Sequence, residues 1–174
     1  MEIFTSFYSN QEGILQAMSK GFIPVRISLG APRFATRYQI KGEAYLLMPS
    51  REMLHKARPQ YEPEYLARLD SYGVEKIQSV LDKLAKSYGA KGLILLCFED
   101  LRKGEWCHRT MFGEWWMKKT GQLVEELEII QAPKVSAKPA PTPATAVKPA
   151  TKKEVKAAAN LQPSLFAEAD LFGC

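Results

Sequence analysis

The stretch GLILLCF, residues 92–98, constrains the fold of this chain more than any other. A strand with one wet face alternates apolar and polar residues. A strand that does not alternate is covered on both faces, as at the centre of a parallel sheet between helices. The flanks agree. VEKIQSVLDKLAKSYG (74–89) puts Val74, Ile77, Val80, Leu81 and Leu84 on one side of an amphipathic helix, and a second helix is expected from about Cys107 to Lys119, ending before Gly121. Upstream, EIFTSFY (2–8) reads as a first strand. A short helix follows, capped by Asn10, with Ile14, Leu15 and Met18 inward, and Gly21 closes it. FIPVRISL (22–29) reads as a second strand and AYLLM (44–48) as a short third. Helical turns follow from Ser50 through Met53 and Leu54, and again through Tyr65, Leu66 and Leu69, and LVEELEII (123–130) reads as a last strand. Alternation of this kind predicts a three-layer α/β fold, a mostly parallel sheet with helices on both faces, followed by a disordered C-terminal tail.

The tail begins abruptly. Residues 132–160 are rich in Ala, Pro and Lys and lack aromatic residues, so they cannot bury enough apolar surface to offset the entropy of ordering. The expected organisation is an α/β domain over 1–131, a linker over 132–160 and a terminal peptide over 161–174. The net charge of +5 needs locating before it is used. From Ala132 on there are six lysines against three acids. The rest of the chain carries 18 basic and 16 acidic residues, so the domain is nearly balanced and composition establishes no phosphate-binding surface. Three cysteines argue against a disulfide framework and for a reducing compartment. MEIFTSFYSN has no basic region leading into an apolar one, and no stretch is long and apolar enough to span a bilayer. A cytoplasmic protein with no membrane partner is expected.

In parallel α/β sheets, ligands bind beyond the carboxyl ends of the strands. The strand ending at Cys97 therefore points at the site, and EDLRKGEWCHRTMFGEWW follows it. Cys107, His108 and Arg109 fall where the next helix opens. The free N–H groups and partial positive charge there favour an anion and a thiolate. Arg109 offers a fork for phosphate or carboxylate, and His108 a proton shuttle. The loop GAPRFATRYQIKG sets Arg33 and Arg37 among Phe34 and Tyr38, a pattern suited to phosphates and stacked bases or to the same anion as Arg109.

LLCFED…GEWCHRTMFGEWWMKKTGQLVEEL resembles the pattern of the domain of unknown function 488 family: a strand ending in Leu-Leu-Cys, an acidic residue, then Cys-His-Arg opening a helix. IFTSFYSN, VRISLGAPRF with its Pro32-Arg33 pair, and YLLMPSREML extend the likeness over most of residues 1–130. The resemblance implies an α/β fold and implies Cys97, Glu99, Cys107, His108, Arg109 and Arg33 as site residues. It brings no established activity and no cofactor. The spacer DLRKG is longer and more basic than the family's pattern, so the loop between the cysteines has its own shape.

Plainer roles stand beside these. Cys97 reads equally as a buried small hydrophobe, and His108 and Arg109 as a helix cap paired with Glu99 or Asp100. Cys97, Cys107 and His108, with His55 as a fourth, are soft ligands, but their spacing is not a knuckle pattern and no metal is expected. A Cys97–Cys107 disulfide would need the loop to fold back. Trp106, Trp115 and Trp116 can stack bases, yet helical spacing makes Met111, Phe112 and Trp115 core, with only one of Trp115 and Trp116 facing inward.

QPSLF, residues 162–166, resembles the pentapeptide by which bacterial and phage proteins hold the replication sliding clamp, a Gln, then Leu, Ser or Asp, Leu and Phe. Gln162, Ser164, Leu165 and Phe166 match, and Pro163 replaces a Leu. Leu165 and Phe166 would fill an apolar pocket, and Gln162 would bond at its rim. A long linker turns such weak affinity into local concentration. The other reading is that LFAEADLF is an amphipathic helix returning to the domain. Three function classes follow: a DNA- or nucleotide-associated protein tethered to the clamp, a non-catalytic adaptor with a structural Cys-His-Arg, and a small-molecule enzyme.

Overall fold

Gly92–Cys97, fully buried along its length, forms the central strand β4 of a five-stranded sheet in the computed structural model, which describes residues 1–130. The other strands are β1 (Glu2–Phe7), β2 (Phe22–Arg26), β3 (Gly42–Glu43) and β5 (Glu125–Glu126), and the order across the sheet is β3-β2-β4-β1-β5. Every pairing among these strands is parallel. The helices are α1 (Gln11–Ser19), α2 (Arg58–Tyr72), α3 (Val74–Ser87) and α4 (His108–Thr120).

The sheet is sandwiched because alternate residues of β4 serve different cores. Leu93, Leu95 and Cys97 join the larger one with residues of α2, α3 and α4. Ile94 and Leu96 join the smaller one with Ile14 and Ala17 of α1. The chain crosses from β1 over β4 to β2 through α1, then returns across the sheet through the other helices. The reversal of direction puts α1 on the opposite face, as right-handed crossovers require. The fold is thus a three-layer α/β sandwich. No helix of the described residues is long and apolar enough to cross a membrane.

Several expected elements differ. AYLLM is not the third strand: Tyr45–Leu47 is a 3-10 turn, and β3 lies just before it at Gly42–Glu43. Leu46 and Leu47 are buried as side chains under α2, where Tyr65 donates its hydroxyl to the Leu47 carbonyl at 2.8 Å, so the apolar run reflects burial, not strand pairing. The helical turn after Ser50 is also 3-10, Glu52–His55. The second strand stops at Arg26, whose guanidinium turns back onto the Ser28 and Leu29 carbonyls. Asn10 begins α1 without capping it. Its amide donates instead to Ser6 Oγ and to the Glu128 carbonyl, both at 3.1 Å, and so ties the helix start to the last segment of the domain. That segment pairs as a strand only at Glu125–Glu126, on the free edge of β1. Trp115 and Trp116 are both buried, which corrects the expectation that one would face outward. The linker and the QPSLF peptide lie outside the described residues.

Candidate functional site: a cysteine–histidine cluster under an aromatic rim

The carboxyl ends of β2 and β4 and the start of α4 meet at one place. Cys97 ends β4, Cys107 is the residue before α4, and His108 is the first residue of that helix. A short 3-10 turn, Leu101–Lys103, lets the loop between them fold back. It is held by Asp100, which accepts from the Arg102 backbone N–H and from its guanidinium, and it ends at Gly104 with φ +75°, a left-handed conformation that glycine adopts without strain. Cys97, Cys107 and His108 are all buried, and their donor atoms lie within 4.8 Å of one another. The His108 Nδ1 is 3.8 Å from the Cys97 sulfur and 3.9 Å from the Cys107 sulfur. Both cysteines are free thiols.

The orientation of His108 is settled by its other nitrogen. Nε2 lies 3.0 Å from the Ile27 carbonyl, which can only accept, so Nε2 carries the proton and donates it. In the neutral ring, Nδ1 is then a lone pair facing the two sulfurs. The ring packs against Tyr65 at 5.4 Å, nearly edge-on. Tyr65 is itself anchored on Leu47, so the imidazole is held from two sides.

Glu99 completes the cluster. Cys107 Sγ and Glu99 Oε2 are 2.9 Å apart with the thiol donating, and burial raises the Glu99 carboxyl less than the bonds from Cys107 and Cys97 lower it. The two thiols differ. Bonding to Cys107 and then burial push Cys97 well above the ordinary thiol value. Burial also opposes ionisation of Cys107, but its contacts with Cys97 and His108 outweigh this and bring it down to about 6. Cys107 is the sulfur that ionises first, at the positive end of α4.

The cluster opens into a cavity of about 470 Å³, where Ser28 and Gly30 form one side and Tyr61, Phe98 and Trp106 supply aromatic surface. Trp106 meets Tyr61 edge-on at 4.9 Å, and Phe98 meets Tyr8 in the same way at 4.9 Å. Ser28 donates to the Gly30 carbonyl at 2.7 Å, so the Tyr8 hydroxyl, 2.7 Å away, must donate to Ser28. That chain fixes the loop after β2. Burial pushes the Tyr8 phenol up to about 12, so it stays a donor.

The arginines singled out in the sequence lie elsewhere. Arg109 is completely buried, and its Nε and Nη2 each reach a Glu126 carboxylate oxygen at 3.0 Å. Burial works against its charge, but Glu126 and the Cys107 sulfur hold it. Its Nη1 has no hydrogen-bond partner among the described residues. Arg37 pairs with Glu12, and Arg33 is exposed and makes no ion pair among the described residues. None of the three lines the cavity. His55, weighed as a fourth soft ligand, is exposed and outside the cluster.

Sequence reading missed Tyr61, the Ile27 carbonyl and Glu126. Tyr61 carried only the signal of an aromatic near a helix start. The Ile27 contact is backbone and has no residue signature. Compared with protein-family models, curated proteins and solved structures, the chain matches none. What stands is the cluster, a buried Cys/Cys/His group able to take an ion or ligand.

Proposed function

We propose that this chain is a cytoplasmic DNA- or nucleotide-associated protein, akin to the domain of unknown function 488 family that it resembles, and that QPSLF tethers it to the replication sliding clamp. One observation carries the assignment of the working site: thiol, imidazole and carboxylate converge at the carboxyl ends of the strands, at the base of a cavity with aromatic walls. Its volume suits a nucleobase or a molecule of similar size. Trp106 and Phe98, 36% and 44% exposed, offer faces on which a base can stack. Cys107, His108 and Glu99 then meet the ligand, with Cys97 behind them, and Arg33, on the loop continuing from Gly30 and without an ion pair among the described residues, is a cation for its phosphate, while Arg37 on the same loop is paired with Glu12.

Two measurements test this reading. A labelled peptide spanning residues 159–174 is expected to bind the host's sliding clamp at micromolar concentration and to lose that binding when Leu165 and Phe166 become Ala. Nucleotides and short single-stranded oligonucleotides, titrated against the full chain, are expected to bind at least about 5-fold more weakly to Trp106→Ala, since a stacked base contributes about 1–3 kcal/mol. Failure of both would leave the small-molecule enzyme.

The burial of Arg109 against Glu126 favours a second reading, the non-catalytic adaptor in which Cys-His-Arg is structural. Cys107→Ser separates the two: an adaptor keeps its cellular effect with the fold intact, and an enzyme does not.

A further inference from the structure

The two sulfurs and the imidazole raise a question of charge. They are packed together out of water, with their donor atoms within 4.8 Å of one another. Separated ionised groups in such a place are costly unless compensated. A divalent cation compensates the two sulfurs: two thiolates and a neutral imidazole around a 2+ ion sum to zero, with the Glu99 carboxylate beside them.

We propose that Cys97, Cys107 and His108 hold a thiophilic divalent cation of the zinc class, with the fourth coordination position open to the cavity beside Glu99. Three observations carry this. First, the donor spacing fits. Zinc–sulfur bonds of about 2.3 Å and a zinc–nitrogen bond of about 2.0 Å in a tetrahedron set sulfur and nitrogen about 3.5 Å apart. The two sulfurs stand 3.8 and 3.9 Å from His108 Nδ1, so shifts of a few tenths of an ångström complete the geometry. Second, His108 is held as metal-binding histidines are: Nε2 donates to a backbone carbonyl, that of Ile27, which fixes the tautomer and turns the free nitrogen to the metal. Third, the ligands number three and all of them line the cavity. Two Cys and one His with an open position is a donor set of catalytic zinc, in contrast to the closed four-ligand set of structural sites.

Binding would release the thiol protons to solvent, as metal capture by cysteine does. A ligand or water in the cavity would take the open position, and Glu99, already at 2.9 Å from the Cys107 sulfur and lining the same cavity, is the base beside it. This inference shares the cavity with the proposed function but depends on neither DNA nor the clamp.

The test uses the purified full chain, stripped with chelator under a non-thiol reductant and titrated with Zn²⁺ against a chromophoric competitor, then with Co²⁺. The expected result is one ion per chain and, with cobalt, thiolate-to-metal charge-transfer absorption together with the visible bands of a tetrahedral ion. Cys107→Ser and His108→Gln should each weaken binding at least about 10-fold, while His55→Asn and Cys174→Ser leave it unchanged. The cobalt spectrum of the unaltered chain decides the matter even if a variant fails to fold. Absence of the thiolate bands, or their loss on replacing Cys174 with Cys97 and Cys107 present, would overturn the site. Failure of the unaltered chain to take up metal, with its nucleotide or clamp binding intact, would overturn the metal alone and leave the proposed function standing.

Discussion

Replacing Glu126 with Ala will cost the fold about 3–5 kcal/mol, the range for removing one partner of a buried ion pair. The size comes from the partner left behind. Arg109 is 0% exposed, and a guanidinium cannot shed its proton to escape an apolar site, so its charge would stay buried with both carboxylate bonds gone. Its Nη1 already lacks a hydrogen-bond partner among the described residues. Glu126 also accepts from Thr5 Oγ1 at 2.7 Å, so the change loosens the edge between β1 and the last segment as well. Glu126 is itself 29% exposed, so water can rehydrate it when Arg109 is the residue removed. Arg109→Met should therefore cost less than Glu126→Ala, and the double variant Arg109→Met/Glu126→Leu should recover much of the loss. Urea unfolding of the full chain, read by tryptophan fluorescence, measures all three. A loss below about 1 kcal/mol for Glu126→Ala would mean that the Arg109 charge is not buried in solution.

The same pair explains what the Cys-His-Arg sequence concealed. Read along the chain, Arg109 is an unpaired cation at a helix N-terminus beside a reactive cysteine, which points to an anion. Its actual carboxylate comes from a segment whose alternation suggested only a strand. Adjacent helix positions point about 100° apart, so Arg109 cannot share the aim of His108 toward the cavity. The spacing argument against a metal has little reach for a related reason. Knuckle spacings describe donors on one local turn, whereas Cys97 ends a strand and Cys107 and His108 begin a helix, joined only by tertiary structure.

What could be read was whatever burial writes into periodicity. GLILLC announced a strand covered on both faces, and VEKIQSVLDKLAKS a helix covered on one, so the parallel sandwich was legible, and with it the candidate cluster of Cys97, Cys107 and His108 at the carboxyl end of β4. Cys97 shows the limit of choosing between a core and a functional role: it is 2% exposed and packed in the larger core, yet its sulfur faces His108. YLLM shows another limit, because three successive buried residues, Leu46, Leu47 and Met48, look alike in a strand and in a tight turn.

Trp116→Ala should destabilise the protein by about 3–5 kcal/mol, as large core aromatics do. Trp116 is the largest of the fully buried side chains, packed with Phe112 at 5.6 Å and Trp115 at 6.2 Å between ring centres. Two neighbouring tryptophans can both be buried only where a helix is covered on two sides, and α4 touches α2, α3 and β4. Each indole N–H has its own acceptor: Trp115 donates to Asp70 of α2 at 3.0 Å, and Trp116 to Gln122 at 3.1 Å, whose amide in turn donates to the Met1 carbonyl. α4 is thus buried over an arc wide enough to take both indoles, with only Glu114 and its last turn exposed, which is why a narrow one-sided pattern misassigned it. Trp116→Phe keeps most of the ring volume and loses the Gln122 bond, so it should cost about 1–2 kcal/mol. Because α4 also carries His108, a Trp116→Ala chain that still folds should hold the imidazole less firmly and bind Co²⁺ more weakly than Trp116→Phe. Equal cobalt affinity in the two variants would show that the start of α4 is positioned by Ile27 and Tyr65 alone.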